Sequence, residues 1–264
     1  MSLSPARHGV VLRYRTGRDQ FVEADFKTTT AAAIATVAEP FREFRWRRGQ
    51  KHFPGYHWCA RLDRHVGGES QLELSWVRVA DQHPSTARVL SQPFQLEAVV
   101  AGHRRRHIPD YLLIEASGLA TVVDVKPSAF LDEPKVKSTF AWVRPLVEAH
   151  GWRFQVWSGL DRIETMNLRH MTAFRDPRRL DTELVHDVMA TVIDGDTFAD
   201  VESRLVRRAP RHEIRASVLH LLWWSRLQAD LAAPLSRTNT RLEASSCSPP
   251  SLPSPDLRTP DRVA

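Results

Sequence analysis

The feature that most constrains the fold is the run HIPDYLLIEASGLATVVDVKP (residues 107–127), in which two apolar segments flank a short turn. Gly118 can adopt the left-handed backbone conformation that closes a three-residue hairpin, so the turn is predicted at residues 116–118. Residue 115 then faces 119 and 113 faces 121, and the same register brings Asp110 directly opposite Asp124. Directly opposed side chains project from one face of a sheet, with Cβ atoms about 4.5–5.5 Å apart. The hairpin therefore predicts two carboxylates held side by side.

A lysine completes this charged group. Because side chains alternate along a strand, Lys126 projects from the same face as Asp124 and lies diagonal to Asp110. Two opposed carboxylates repel each other, so one takes up a proton or the pair moves apart unless a cation lies between them. Carboxylate oxygens at this spacing suit Mg²⁺, and Mn²⁺ can substitute for it. The alternative is that Lys126 alone neutralises the pair as an ordinary ion-pair cluster.

The segments around the hairpin predict a mixed α/β layer. Ser70 is suited to cap a helix over ESQLELSWVRVAD, in which Leu72 and Trp76 recur at helical spacing. ARVLSQPFQLEAVV predicts a strand interrupted at Pro93, and GHRRRH predicts a basic turn ahead of the hairpin. FAWVRPLVEAHGWRFQVWSG predicts a helix that ends near Gly151 and is followed by a strand.

Changes in composition divide the chain into four parts. The predicted boundaries are an N-terminal extension (1–40), an α/β domain (41–176), a small helical domain (177–243) and a tail (244–264). The tail is rich in Ser and Pro and poor in large apolar residues, so it is predicted to be disordered.

The small helical domain carries three helical patterns followed by strand-like segments around Pro234. This outline is typical of a winged helix-turn-helix, although a plain helical bundle would produce nearly the same pattern. In its VLHLLWWSRL segment, Leu219, Leu222 and Trp223 form an apolar stripe that core packing explains. Trp224 lies beside the stripe and is predicted to face a protein partner.

Charge and cysteine content narrow the function classes. Lys and Arg outnumber Asp and Glu 37 to 31, which favours a polyanionic partner such as DNA. The two cysteines, Cys59 and Cys247, are far apart, so neither a disulfide framework nor a cysteine zinc site is expected. This cysteine content fits a reducing cytoplasm. The beginning of the chain lacks the apolar core of a signal peptide, and no apolar run approaches the ~20 residues that span a bilayer. We therefore expect a soluble protein without a membrane partner.

Two basic segments are candidates for DNA contact. Residues 41–65 carry seven Lys/Arg against two Asp/Glu, interleaved with aromatic residues, and include Arg45, Arg47 and Arg48. The alternative is that these arginine stems pack on the aromatic rings beside the core. The second segment contains Arg104, Arg105 and Arg106, for which a solvated run of charges is the alternative.

The charged hairpin resembles the signature of the restriction-endonuclease-like superfamily, which is Pro-Asp, a spacer, and Asp/Glu-x-Lys. Here the two parts are Pro109-Asp110 and Asp124-Val125-Lys126. With the helix start Ser70-Gln-Leu-Glu73 and the pair Gln92-Pro93 before it, the ordered set is similar to the TnsA family, the endonuclease subunit of heteromeric transposons. The similarity covers about residues 40–175 and implies a restriction-endonuclease-like mixed sheet flanked by helices, followed by a winged-helix-like domain.

The resemblance implies roles for individual residues. It marks Glu73, Asp110 and Lys126 as catalytic, with Asp124 beside a Mg²⁺ ion that Asp110 and Glu73 also bind. Some family members have Gln in place of Asp124. For Glu73 a second explanation stays open, because Ser-x-x-Glu at a helix start is also the capping box. Glu69 is then the alternative metal ligand from this helix.

The resemblance also implies partners. The chain would nick one strand of double-stranded DNA at each transposon end, in the cytoplasm at the nucleoid, with an RNase H-like transposase subunit cutting the other strand and an AAA+ ATPase as regulator. One alternative is a stand-alone restriction or repair nuclease of the same superfamily. Another is a non-catalytic DNA-binding or assembly protein whose hairpin charges are a structural cluster.

Overall fold

The computed structural model describes residues 9–42 and 54–245. The candidate DNA-contacting residues Arg45, Arg47 and Arg48, and most of the tail predicted to be disordered, lie outside the described residues. Among the helices that are described, none is long and apolar enough to cross a membrane.

The chain forms two compact units. One comprises Met1–Asp81 and Ser85–Gly159, and the other Gln82–Pro84 and Leu160–Ala264. The division therefore falls at Gly159, ahead of the boundary at 176/177 that composition indicated.

The first unit is built of ten strands and three helices in the part of the chain that is described. In chain order these are β1 (Val11–Gly17), β2 (Gln20–Asp25), α1 (Ala31–Val37), β3 (Gly55–Cys59), β4 (Arg64–Gly68), α2 (Gln71–Gln82), β5 (Thr86–Ser91), β6 (Gln95–Val100), β7 (His103–His107), β8 (Tyr111–Glu115), β9 (Ala120–Val125), α3 (Pro134–Ala149) and β10 (Arg153–Trp157). Two four-stranded sheets have the orders β2-β1-β6-β7 and β10-β9-β8-β5, and β3 pairs with β4. The mixed α/β class is confirmed.

The predicted hairpin is confirmed in position and register. β8 and β9 are antiparallel, with Tyr111 paired to Val123 and Ile114 to Ala120, and Gly118 has a positive φ of 86° in the turn. β10 then lies parallel to β9 after the crossover through α3, and Gly151 ends that helix with a φ of 85°. β9 is buried along its whole length, as predicted for a strand covered on both faces.

Both four-stranded sheets contribute to one hydrophobic core. Leu12 and Leu96 from the first sheet and Leu112 and Val122 from the second belong to the same cluster of buried residues, together with Val143 of α3. The strands of residues 9–40 are therefore part of the first unit's sheet, and not an extension outside the domain.

The predicted interruption at Pro93 is confirmed, but the two parts, β5 and β6, lie in different sheets, because the chain crosses between them at Gln92, whose φ is 43°. The prediction of a basic turn at residues 102–107 is wrong. The basic segment GHRRRH is strand β7, which pairs with β6, and the turn is at Ala101 and Gly102, with φ of 49° and 76°. Pairing with β6 supplies the backbone hydrogen bonds that make residues 103–107 a strand despite their polar sequence.

The elements of the second unit are α4 (Arg162–Thr172), α5 (Thr182–Thr191), β11 (Asp196–Thr197), α6 (Phe198–Leu205), α7 (Arg211–Trp223), β12 (Leu227–Gln228) and β13 (Arg241–Ala244). Three of its helices, α5 to α7, follow the pattern that the sequence predicts, and α4 precedes them. The three short strands form a sheet in the order β11-β13-β12.

The prediction for the tryptophan pair is half right. Leu219, Leu222 and Trp223 are buried core residues, as predicted. Trp224 is also buried, and its indole N–H donates a 3.1 Å hydrogen bond to the carbonyl oxygen of Arg175. A buried, hydrogen-bonded indole is a structural element of this unit, so the predicted partner surface at Trp224 is wrong.

A buried histidine makes the stability of the second unit depend on pH. Burial lowers the pKa of His220, although its ring Nδ1 lies 2.7 Å from the carbonyl oxygen of Phe174 and Asp176 is nearby. A lowered pKa means that the unfolded chain binds a proton that the folded chain resists, so stability falls as pH drops through and below the ordinary value of 6.5. We expect urea unfolding to show a steeper loss of stability between pH 7.5 and pH 5 for the wild type than for His220→Asn. Equal slopes for the two proteins would contradict this.

Candidate active site

One cleft of the first unit collects the residues that the hairpin singled out. It has a volume of about 860 Å³ and lies between the start of α2, the ends of β8 and β9, and the start of α3. Its lining contains five acidic and two basic residues, which are Glu69, Glu73, Asp110, Asp124, Glu133, Lys126 and Lys135. Glu73, Asp110, Asp124 and Lys126 thus line the same cleft.

The two aspartates are held by the hairpin backbone. Asp110 directly precedes β8, and its Oδ2 accepts a 2.6 Å hydrogen bond from the N–H of Val125. Its carbonyl oxygen accepts a second bond from the N–H of Gln92 at 2.7 Å. Asp124 is only 3% exposed and is the second-last residue of β9. Both carboxylates are therefore fixed in place by elements that belong to the core.

The acidic groups raise one another's pKa. The pKa of Asp110 is raised to about 8, mainly by burial and then by the charges of Asp124 and Glu73, against the lowering effects of the Val125 N–H and Lys126. Burial likewise raises the pKa of Glu73, with a smaller lowering effect from Lys126. Lys126 alone therefore leaves the acidic groups incompletely neutralised. Such a set of partly buried oxygen ligands fits a hard divalent cation such as Mg²⁺.

Glu73 makes the contacts of a helix cap. Its carboxylate accepts hydrogen bonds from the N–H of Glu69 at 2.8 Å and the hydroxyl of Ser70 at 2.9 Å, and the Ser70 Oγ accepts one from the N–H of Glu73 at 3.1 Å. The capping explanation therefore describes its present contacts, while its position on the cleft wall leaves it beside Asp110 and Lys126. Glu73 therefore both caps α2 and lines the cleft.

Glu69, the alternative ligand, is tied to a different partner. The amide Nε2 of Gln92 donates a 2.7 Å hydrogen bond to Glu69 Oε1. Gln92 is itself buried, with a positive φ that is uncommon for a residue with a side chain. Gln92, which the resemblance marked only as part of a motif, thus connects the strand crossing to the cleft wall.

His107 is a site residue that the sequence did not reveal. Its Nε2 lies 3.0 Å from Oδ1 and 2.8 Å from Oδ2 of Asp124, and its ring packs edge-on against Trp142. A hydrogen bond of this kind orients a carboxylate that binds a metal. Its position at the end of the basic run could have indicated His107. The prediction of a turn for this run, instead of strand β7, gives no alternation of side chains from which its direction follows.

The three arginines of β7 are exposed, and none of them is among the described residues that line the cleft. Arg104 and Arg106 form ion pairs with Glu97, with Nε to carboxylate distances of 3.1 Å and 2.6 Å. Residues 104–106, which the sequence presents as one basic group, therefore differ in their contacts, since Arg104 and Arg106 share Glu97 as a partner.

A second group of possible metal ligands lies elsewhere in this unit. His57 and Cys59 of β3 and Asp81 of α2 are buried, and one ligand atom from each lies within 4.8 Å of the others. Such a group can hold a metal ion. Asp81 also accepts hydrogen bonds from the N–H groups of Ala60 and Arg61 at 3.2 and 3.0 Å and lies 3.0 Å from the His57 ring, so its burial has an explanation without a metal. The expectation that the chain has no cysteine zinc site rested on the number and separation of the cysteines, which do not reveal that Cys59 lies beside His57 and Asp81.

Gly68 keeps the start of α2 close to the hairpin. A Cβ at this position would lie 2.8 Å from the Tyr111 hydroxyl and 3.1 Å from Glu73 Cβ, and that hydroxyl donates a 3.0 Å hydrogen bond to the carbonyl oxygen of Gly67. We expect Gly68→Ala to destabilise the protein by about 1–3 kcal/mol because the added methyl overpacks this contact. Chemical denaturation measures the loss, and Gly9→Ala is the control because a Cβ there meets nothing within 4 Å. Equal stability of the two variants would show that the contact is loose.

No model of a known protein family and no curated protein matches this chain.

Proposed function

We propose that this chain is a Mg²⁺-dependent DNA endonuclease that hydrolyses a phosphodiester bond in one strand, and that it acts as the nuclease subunit of a heteromeric transposase. The observation that carries the proposal is the convergence of Glu73, Asp110, Asp124 and Lys126 on one cleft, in the register that the sequence predicts. The subunit role and the transposon ends as substrate follow from the resemblance to the TnsA family.

The fold supports the same proposal. A hairpin followed by a helix and a parallel strand, as in β8-β9-α3-β10, is compatible with a restriction-endonuclease-like core. In the second unit, the order α5-β11-α6-α7-β12-β13 with a three-stranded sheet matches the outline of a winged helix-turn-helix. That unit is then the candidate for contacts with DNA or with a transposase and an AAA+ regulator.

The site residues divide the chemistry among them. Asp110, Asp124 and Glu73 would hold the divalent cation. When bound, it would polarise the phosphate and make a bound water more acidic. The Lys126 ammonium orients the attacking water and donates hydrogen bonds to the oxygen anion that develops on phosphorus. The bond from water oxygen to phosphorus forms as the bond to the leaving oxygen breaks, and the proton that the water loses balances the one that the leaving oxygen takes up. His107 keeps the Asp124 carboxylate oriented throughout.

One set of observations favours a second candidate, a non-catalytic DNA-binding or assembly protein. Asp124 is bonded to His107, Glu73 caps its own helix, and Asp110 accepts the Val125 N–H. Each acid thus has a partner within the protein, as in a structural charge cluster.

A plasmid assay separates the candidates. The purified protein is incubated with a supercoiled plasmid that carries transposon ends, with Mg²⁺ or with EDTA, alone and with a partner transposase. Mg²⁺-dependent nicking only in the presence of the transposase supports the proposal, and nicking by the protein alone supports a stand-alone nuclease. No cutting in either condition, with DNA binding retained, supports the non-catalytic protein.

A further inference from the structure

The direction of side chains on β7 separates its arginines. In the pairing of β7 with β6, Arg105 is opposite Ala98 and Arg106 is opposite Glu97. Ala98 is buried in the core, whereas Val99, the partner of Arg104, is 67% exposed. Because directly paired residues project from the same face, Arg105 lies on the core side of this edge strand. Arg104 and Arg106 lie on the opposite face.

His107 shares the face of Arg105, since the two are separated by one residue along the strand. His107 lines the cleft and contacts Asp124. Two residues of strand span about 7 Å, which is within reach of an extended arginine side chain. Arg105 is exposed, so its guanidinium is available at the side of the cleft where His107 lies.

A lysine lines the cleft from a different element, helix α3. Lys135 lies in the first turn of α3, lines the cleft and is exposed. Its neighbour Lys137 does not line the cleft and forms an ion pair with Asp132 at 2.9 Å. The N-terminal turn of a helix adds a partial positive charge beside Lys135.

The charge of the cleft itself requires such flanking cations. Its five acidic residues outnumber its two lysines, and Asp110 and Asp124 are among them. A DNA backbone, with one negative charge for about every 1.7 Å of duplex axis, would be repelled from these carboxylates. Cations on both sides can hold the phosphates next to the one that reacts.

From this arrangement we infer that Arg105 and Lys135 contact the DNA phosphates on either side of the cleft, while Arg104, Arg106 and Lys137 do not. The inference rests on the proposed DNA substrate, and it identifies which of the basic residues position that substrate. It also replaces the expectation that residues 104–106 act as one DNA-binding group.

The test is a binding titration of the full chain with a fluorescently labelled DNA duplex, in Ca²⁺ instead of Mg²⁺ and at several salt concentrations. Arg105→Ala and Lys135→Ala are each expected to weaken binding about three- to tenfold and to reduce the slope of log K against log salt by about 1. Arg104→Ala, Arg106→Ala and Lys137→Ala are matched controls, expected to change the affinity less than about twofold. Thermal unfolding of all five variants checks that their folds are intact, and Arg105→Lys should restore most of the binding.

The outcomes separate this inference from the proposed function. Selective loss in Arg105→Ala and Lys135→Ala supports the inference even when plasmid cutting is not observed. If all five variants bind alike, or Arg104→Ala and Arg106→Ala bind more weakly than Arg105→Ala, the inference is wrong while cleavage can still be correct. A wild-type chain that binds no DNA overturns both.

Discussion

Replacing Asp110 by Asn is expected to abolish DNA cleavage and, at the same time, to stabilise the metal-free protein. Asn has the same shape, and its side-chain oxygen can still accept the hydrogen bond from the Val125 N–H. It removes a group whose ionisation is unfavourable in the cleft, and we expect a gain on the order of 1–2 kcal/mol at pH 8. Under the proposed function, Asp110 is a metal ligand, and its loss should reduce the nicking rate by at least about 10²–10³-fold.

The pH dependence of this gain has a definite sign. The pKa of Asp110 is raised from 3.8 to about 8 in the folded protein, so the folded chain holds a proton that the unfolded chain has released. The wild type therefore loses stability as pH rises from about 4 towards 8. The advantage of Asp110→Asn should be largest at pH 8 and should disappear near pH 4. Urea unfolding in EDTA at the two pH values measures it.

Lys126→Ala is the matched control for this experiment. It should abolish cleavage as fully as Asp110→Asn, but it removes the cation that partly offsets Asp110 and Glu73 and should therefore destabilise the protein. Opposite changes in stability with equal losses of cleavage are expected only for an acidic site that carries uncompensated charge. Cleavage by Asp110→Asn at near the wild-type rate would remove the assigned site.

Replacing Glu202 by Ala should destabilise the second unit by about 2–4 kcal/mol. Glu202 is fully buried on α6. Its Oε1 accepts bonds from Arg215 of α7 at 2.6 and 3.0 Å, and its Oε2 accepts one from Arg237 at 2.7 Å. Burial alone would raise the pKa of Glu202, but the hydrogen bonds from Arg237 and Arg215 hold it below its ordinary value. The variant would leave two guanidinium groups without their shared partner.

The control for this prediction is an exposed ion pair in the same unit. Asp187 pairs with Arg208 at 2.7 Å, with side-chain exposures of 43% and 40%. Water and salt screen such a pair, so Asp187→Ala should cost less than about 1 kcal/mol. Urea midpoints of the two variants give the comparison, and a Glu202→Ala midpoint no lower than that of Asp187→Ala would contradict the assigned role of the buried cluster.

The core of the candidate site was predictable because it depends on local geometry. A turn at Gly118 and strict alternation along two short strands determine which residues of β8 and β9 face each other. The same local signals predicted that a helix begins after Ser70 and that another ends at Gly151. Such features involve residues close together in the chain, so propensity and periodicity suffice to identify them.

Contacts between distant segments were not predictable in this way. β7 is a strand because β6 pairs with it, and that pairing directs His107 towards Asp124 and separates Arg105 from its neighbours. The group of His57, Cys59 and Asp81 joins a strand to a helix that lies some twenty residues later in the chain. Trp224 is buried, and its indole N–H donates a hydrogen bond to the distant Arg175 carbonyl oxygen.

The sequence alone thus determined the register of the acidic hairpin, the mixed α/β class and three helices of the second unit, α5, α6 and α7. Only the tertiary structure decided that His107 joins the acidic residues at the cleft, where the two units divide, and that Trp224 is buried as well as Trp223. The physical reason is that hydrophobic periodicity specifies which face of an element is apolar, but not which other element covers that face. Partners for buried polar groups are chosen at that later step, when distant segments pack together.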